Sequence, residues 1–430
     1  MAIVDRSITN PIGLCSLGAR SADGLCTQLS PTMTETPDQP KPPRRRPFRR
    51  ALAWVLRLSL CVVILGFMLG RAFTDGHLWS QWLFWTPHEA WLLALVTLAA
   101  AILVVEPPEA RRRGAWLGPA LTIVLAVSYV SLAHWRLHNA LLREPGETVL
   151  RVYHWNATEA TDSSLQAFLR DADPFGLSHD GPALVVLANP PLRLDWPEIV
   201  RMLADEEIAS ASITTHVRRG GRFVIISGRP MTRAGWTSLG LEAKTTDPDL
   251  IDNGTAMFAT IDLGPDPLTV WAMDWPSDPQ RSRLVYAAQT LERIDASSHL
   301  IFRPTTAGPL EQHKENGFPP PDVVVGDFNT ARGSASVAEL LPGMASAHAQ
   351  AGIGPDYGWP RFIRDGRRDR RVIPFLGLDQ AYVAPDRWRA TAYRMLDLGQ
   401  GTHRAQEIFL TRADGHRAAA DPPAARAEEN

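Results

Sequence analysis

The stretch DVVVGDFNT, Asp322 to Thr330, decides how this chain is read. Three consecutive valines are β-branched and apolar, so the run reads as a strand buried on both faces. It delivers a carboxylate, Asp327, and an amide, Asn329, to the loop beyond. Ser334 then opens SASVAELLPGM as a capped helix. Working outward, the same pattern recurs. TVLRVYHWN (Thr148 to Asn156), ALVVLANPP (Ala183 to Pro191), RFVIISGRP (Arg222 to Pro230), AMFATIDL (Ala256 to Leu263), LTVWAMDW (Leu268 to Trp275), LGLDQAYVA (Leu376 to Ala384) and AQEIFL (Ala405 to Leu410) read as further strands. DSSLQAFLRDA (Asp162 to Ala172) and QRSRLVYAAQTLERI (Gln280 to Ile294) space their apolar residues helically. Strands interleaved with helices describe an α/β domain. Several strands end on a carboxylate or amide, so the loops gather those groups at one sheet edge, where such folds keep their chemistry.

The chain ahead of this domain is of another kind. Ala51 to Phe73, Pro87 to Val105 and Ala115 to Trp135 are apolar runs near the ~20 residues that a bilayer span needs. Arg57, the one internal charge of the first run, lies close enough to its basic end to snorkel. Tryptophans mark both ends of the third run, and Trp79, Trp82, Trp85 and Trp91 crowd the link between the first two, as interfacial anchors do. The basic segments KPPRRRPFRR (Lys41 to Arg50) and EPPEARRRG (Glu106 to Gly114) flank the spans on one side. By the positive-inside rule that side is cytoplasmic, and three spans deliver the C-terminal domain to the opposite side, periplasmic or extracellular. The expected organisation is a disordered cytoplasmic segment, 1–50, a three-span segment, 51–136, a folded domain, 137–412, and a low-complexity tail, 413–430. Met33 is a plausible alternative start.

The whole chain has 430 residues, with 44 Lys+Arg against 46 Asp+Glu. That balance gives no support for a protein that coats a polyanion, and a charged fraction of 21% excludes wholesale disorder. The 3 cysteines exclude a disulfide scaffold; all precede the domain. There is no Gly-x-x-x-x-Gly-Lys-Ser/Thr loop, no His-Glu-x-x-His, no Cys/His cluster and no Gly-x-Ser-x-Gly elbow.

Taken in order, the motifs resemble those of the endonuclease/exonuclease/phosphatase superfamily. The resemblance covers roughly Leu150 to Leu410. It rests on Gly326-Asp327-Phe328-Asn329, on the strand ending Trp155-Asn156, on Gly220 to Ser227, on Asp274-Trp275-Pro276-Ser277, on Leu378-Asp379, on Thr402-His403-Arg404, and on Tyr357-Gly358-Trp359-Pro360. It implies a four-layer α-β-β-α sandwich, two packed mixed sheets flanked by helices, here preceded by three transmembrane helices. It also implies metal-assisted attack of water on a phosphate ester, with Mg²⁺ or Mn²⁺ as cofactor. In that scheme His403 is general base or phosphate ligand, Asp379 orients it, and Asp327 orients the water or touches the metal. Asn329 and Asn156 bond the phosphate.

Departures from the family pattern are as informative. The second strand's metal-binding Glu is replaced by Asn189, and an amide is a weaker Mg²⁺ ligand than a carboxylate. Asp274 stands where the family has His, Thr402 where it has Asp, and Gln380 where it has His. The metal set expected is Asp327, Asp274, Asn189 and Asn156, with Asp274 compensating for the lost Glu. The alternative is a catalytically weak or inactive relative that binds a phosphate ligand or a partner. Arg218, Arg219 and Arg229 are further candidates for phosphate contact. The substrates expected are a lipid head group, a lipid-linked phosphate or a nucleic acid. The domain has no dense basic run and its tether to the spans is short, which favours the membrane substrates. No specific protein partner is implied.

Overall fold

The computed structural model describes residues 46–106, 114–142, 148–175, 183–191, 216–241, 253–305, 308–365, 368–399 and 401–413. The expected disordered segment (save its last residues), most of the second basic segment and the tail after residue 413 lie outside them. By contacts the chain divides into Met1–Arg46 and Pro47–Asn430. Apart from the first residue of the first helix, every described element belongs to the second unit.

Three helices are long and apolar enough to cross a membrane: Pro47–Phe73, His88–Val105 and Leu117–His134. The first belongs to α1 (Arg46–Phe73), the second is α3 (His88–Val105), and the third is α4 (Leu117–Ser128) continued by one π-helical turn, Tyr129–His134. Between α1 and α3 lies α2 (Leu78–Trp85). It leaves Trp79 and Trp82 exposed but buries Phe84, and Trp85 donates its indole N–H to Thr330 Oγ1 at 3.2 Å. The four tryptophans read as one interfacial belt therefore divide: Trp79 and Trp82 face out, Trp85 docks on the domain, and Trp91 packs on Phe67 of α1.

The domain begins with β1 (Leu150–Asn156) and α5 (Asp162–Ala172), then β2 (Ala183–Ala188), β3 (Val217–Gly220), β4 (Phe223–Ser227), β5 (Met231–Ser238), β6 (Thr255–Ile261) and β7 (Leu268–Asp274). It continues with α6 (Arg283–Ala296), the hairpin β8–β9 (Ser298–Thr305, Gly308–Asn316), β10 (Val323–Asp327) and α7 (Ala335–Leu340). After β11 (Ala345–Ser346) and α8 (Ala347–Ala351) come the hairpin β12–β13 (Phe362–Asp365, Arg368–Arg371), then β14 (Asp379–Val383), β15 (Trp388–Leu396) and β16 (Ala405–Arg412). Two six-stranded sheets form, ordered β15-β16-β1-β2-β4-β3 and β11-β14-β10-β7-β6-β5. Both are mixed: β1 runs parallel to β2 and antiparallel to β16, and β10 parallel to β7 and antiparallel to β14.

Period-two alternation sorts each strand between layers. Leu150, Val152, Leu184, Val186, Val270, Ala272, Val323 and Val325 meet between the sheets. On the outer face of the first sheet, Tyr153, Trp155, Val185 and Leu187 pack on Leu165, Phe168 and Leu169 of α5. On the outer face of the second, Phe258, Trp271, Met273 and Val324 pack on Tyr286, Ile294, Val337 and Leu340 of α6 and α7. The result is the four-layer α-β-β-α sandwich expected. At Gly326 the backbone of β7 leaves no room for a side chain, since a Cβ there would sit 2.1 Å from the Met273 carbonyl oxygen.

Candidate active site

The alternation that fills the inter-sheet core also builds the site. Asp327 continues the inward face of Val323 and Val325. Its register partners are Asp274 at the end of β7 and Asp379 at the start of β14. Three carboxylates thus stand side by side on adjacent strands at one rim of the core. The same inward face of β1, followed through Leu150 and Val152, brings His154 and Asn156 to that rim from the opposite sheet. Asn189 follows β2 there, in the left-handed region at φ 51°.

All seven candidate residues converge. His403, in the loop before β16, donates its Nδ1–H to Asp379 Oδ2 at 2.7 Å, and its Nε2 stands 3.9 Å from Asp327 Oδ2. Asn156 Nδ2 donates to Asp327 Oδ2 at 3.0 Å, and its Oδ1 accepts from the Thr158 hydroxyl at 2.7 Å. Asn329 donates its backbone N–H to Asp327 Oδ1 at 3.0 Å and its amide to the Trp275 carbonyl at 2.6 Å. Asn189 Nδ2 donates both to Asn156 Oδ1 at 3.1 Å and to Asp274 Oδ2 at 3.3 Å. Trp155 and Trp359 flank the imidazole: the Trp155 indole N–H donates to the His403 carbonyl at 3.3 Å, and the Trp359 ring centre lies 6.4 Å from that of His403.

Charge and burial set the electrostatics. Asp327, Asp379 and His403 are all buried, and each offers a ligand atom within 4.8 Å of the others'. Burial pushes the Asp327 carboxyl up to about 6, reinforced by the Asp379 charge and opposed by His403, the Asn329 N–H and the Asn156 amide. Burial works against a charged His403, yet Asp379 by charge and hydrogen bond, with Asp327 and Asp274, carries it up to about 9. Arg222 reaches to 3.9 Å of Asp274 from the half-exposed rim.

These residues fit a divalent cation. Three buried carboxylates face one imidazole, an excess of negative charge that a cation relieves, and hard cations take such oxygens. At the Asp274 corner, however, the Asn189 amide presents N–H groups rather than an oxygen. An inward turn of that amide would exchange its nitrogen for Oδ1.

His154 and Arg222 are site neighbours that the sequence reading missed. Neither ring nitrogen of His154 has a hydrogen-bond partner among the described residues, nor does Asp379 Oδ1, 3.9 Å away. Burial holds His154 down at about 4, against the pull of Asp379. Counting back by two from Asn156 gives His154, so the strand pattern held that signal. Of the candidate arginines, Arg218 hydrogen-bonds the Val217 carbonyl at 3.3 Å.

No family model and no curated protein matches the chain. Solved structures do overlap with it. A mannosyl-6-phosphatase of Bacteroides thetaiotaomicron, Bt3783, is 10% identical, covers 61% of this chain and 99% of its own, and has a TM-score of 0.36. An endonuclease/exonuclease/phosphatase family protein of the same organism is 10% identical over 62% and 98%, at 0.36. TDP2 of D. rerio, complexed with a single-strand DNA product, is 13% identical over 61% and 98%, at 0.37. Overlaps of this size assign no activity, which must come from the site. The family that the sequence resembles, endonuclease/exonuclease/phosphatase, is also the family of these solved neighbours.

Proposed function

We propose that this chain is a membrane-anchored, extracytoplasmic, metal-dependent phosphoesterase. The observation that carries the reading is the Asp327–His403–Asp379 constellation, a buried carboxylate and a carboxylate-held imidazole facing each other across 3.9 Å at the sheet rim. A phosphate set beside the pair would meet both atoms at once. Asp379 fixes the His403 ring through Nδ1, which leaves Nε2 aimed at the gap. Asp327 is aligned by the Asn156 amide and the Asn329 N–H to hold the attacking water and take its proton. His403 meets a phosphoryl oxygen through Nε2. A divalent cation bound by Asp327 and Asp274, with Asn156 and Asn189 turning their oxygens toward it, would neutralise charge on the phosphate. Asn329 and Asn156 act on the phosphate through Asp327, whose orientation they set.

Membrane placement is supported by the three apolar helices. Sidedness is supported by the arginines of Lys41 to Arg50 and Glu106 to Gly114, which favour the cytoplasm and leave the domain outside.

The test is hydrolysis of bis-p-nitrophenyl phosphate by the full chain in detergent, with and without Mg²⁺ or Mn²⁺. Metal-dependent turnover that disappears in His403→Ala and Asp327→Ala supports the proposal. No turnover and no metal-induced rise in melting temperature overturns it. One observation favours a second reading. Asn189 already satisfies Asp274 and Asn156 with N–H donors, as a non-catalytic module that binds a phosphate ligand or a partner would need.

A further inference from the structure

The three apolar helices do not close fully on one another. Between α1, α3 and α4 lies a cavity of about 270 Å³, walled by Ile64, Phe67, Met68, Trp91, Leu95 and Ala126. His88 and Tyr129 stand at its domain end. From His88 to Leu95 the groove runs roughly 10 Å along α3. Its wall is almost wholly apolar, and by its place it lies within the hydrocarbon layer, where lipid chains are the abundant occupant.

The groove's head is not apolar. Arg71, half-buried on the last turn of α1, contacts His88 Nε2 and lies over the Phe84 ring, 4.4 Å from its centre. Among the described residues it meets no carboxylate. A guanidinium without a counter-charge above an apolar groove complements an amphiphile with an anionic head. His88 also stacks on His134, ring centres 3.8 Å apart, and His134 Nε2 lies 2.9 Å from the Tyr357 hydroxyl. Beyond this ring pair opens a small pocket lined by Trp85, Arg332, Tyr357 and Gly377. Gly377 precedes Asp379 by two residues. Trp85 reaches Thr330, the residue after Asn329. The groove head thus lies on one side of the histidine pair, and the pocket on its other side, with Glu89 and Asp356 beside it, borders the loops that carry Asn329 and Asp379.

We propose that the groove holds an acyl chain of a membrane phospholipid, that Arg71 draws in its phosphate head, and that a lipid-borne phosphate ester reaches the rim by this route. Binding rests on the groove alone; the role as substrate rests also on the phosphoesterase reading. In the reaction water's oxygen bonds to phosphorus, the ester P–O bond breaks, and the leaving alcohol takes the proton.

The experiment uses the full chain, extracted in mild detergent and exchanged into phosphatidylglycerol, with retained lipid counted by native mass spectrometry. Ala126→Phe fills the groove, and Arg71→Gln removes the cation. Val124→Phe adds the same ring on an exposed face of α4. Wild type and Val124→Phe retain lipid. Ala126→Phe loses about tenfold in retention, the equivalent of two buried methylenes. Arg71→Gln no longer prefers phosphatidylglycerol to diacylglycerol. Equal retention in Ala126→Phe, or a lipid-free dimer with the groove covered by a second copy, overturns the binding site. A second arm compares turnover of phosphatidylglycerol with that of bis-p-nitrophenyl phosphate. If lipid is retained but neither ester is cleaved, the phosphoesterase reading fails while the groove stands. If only the soluble ester is cleaved, the groove's role as a substrate route fails.

Discussion

Asp75 is the residue whose removal tests how firmly the membrane segment is built into the domain. It is fully buried in the link after α1, beside Thr74, which adopts φ 44°. Its carboxylate accepts the Ser336 N–H at 3.2 Å, the Thr330 hydroxyl at 3.1 Å and the Ser336 hydroxyl. Thr74 Oγ1 accepts the Ala335 N–H at 3.2 Å, and Ser334 Oγ accepts the Val337 N–H at 3.3 Å. The first-turn amides of α7, which have no partner within the helix, are therefore capped largely from the membrane link. A hydrogen bond to a charged group contributes about 1.5–3 kcal/mol, and donors left bare in a buried pocket cost more than a simple deletion. Asp75→Ala removes these three bonds and a long fourth from the Thr74 hydroxyl at 3.3 Å, so with partial relaxation it should destabilise the unit by about 3–5 kcal/mol. At roughly 2 °C per kcal/mol for a large unit, the melting temperature of the full chain in detergent falls by about 6–10 °C. Hydrogen exchange should quicken at the amides of Ala335 and Ser336, and phosphoesterase turnover should fall as the Asn329–Thr330 loop loosens. Asp75→Asn, which keeps one acceptor of similar shape, should fall between. A melting temperature within about 1 °C of wild type, with exchange unchanged, would refute the reasoning and make the contact incidental.

Asn189→Asp, at a left-handed position that Asp tolerates, adds a carboxylate beside Asp274 and should tighten Mn²⁺ binding by about tenfold or more, read by electron paramagnetic resonance; unchanged affinity would show that this corner holds no cation. Asp379→Asn should lower turnover of bis-p-nitrophenyl phosphate by about 10²–10⁴-fold with little change in KM, because it frees the His403 ring without touching substrate; a loss confined to KM would contradict that role. His403 has its pKa raised from 6.5 to about 9, so its charged form stabilises the fold fully below 6.5 and that contribution fades as pH rises through 9. The melting temperature of chelator-treated wild type should therefore drop between about pH 7 and 9.5, and His403→Ala should be flatter over the same window; parallel curves would show that the imidazolium is not stabilised as described.

The sequence carried the layers because they follow from alternation. Val323 to Asp327 is a hydrophobic run with a carboxylate at its end, and β1, β2, β4, β6 and β7 repeat the form, so each was legible by itself. Within the two sheets the strands left unread, β3, β5, β11 and β15, are the edges, and the hairpins β8–β9 and β12–β13 outside the sheets were unread too. Arg233 and Gly235 in β5, Arg389 and Arg394 in β15, break the apolar signal because an edge meets solvent on one side. Thr402-His403 and Leu378-Asp379 could be named as site residues only through the resemblance, since a lone His before a strand has no periodicity to betray it. Pairing register was beyond reach. That Asp327 lies opposite both Asp274 and Asp379 depends on how three strands align, and each strand alone shows only its own end.

The same limit explains the membrane segment. Hydropathy finds spans by counting apolar residues, and it treats Arg71, His88 and His134 as interruptions near span ends. In the folded chain those interruptions are adjacent, and they stand where the spans meet the domain. Thr330 then joins two functions the sequence presents as unrelated. Its hydroxyl accepts from Trp85 and donates to Asp75, while its carbonyl accepts from the Gln380 amide at 2.6 Å. Gln380 sits next to Asp379, and Thr330 next to Asn329, so one residue ties the link after α1 to both sides of the candidate rim. On the proposal that the substrate is a lipid-borne ester, such a tie has a use, because the rim then keeps a fixed height above the surface that supplies the substrate.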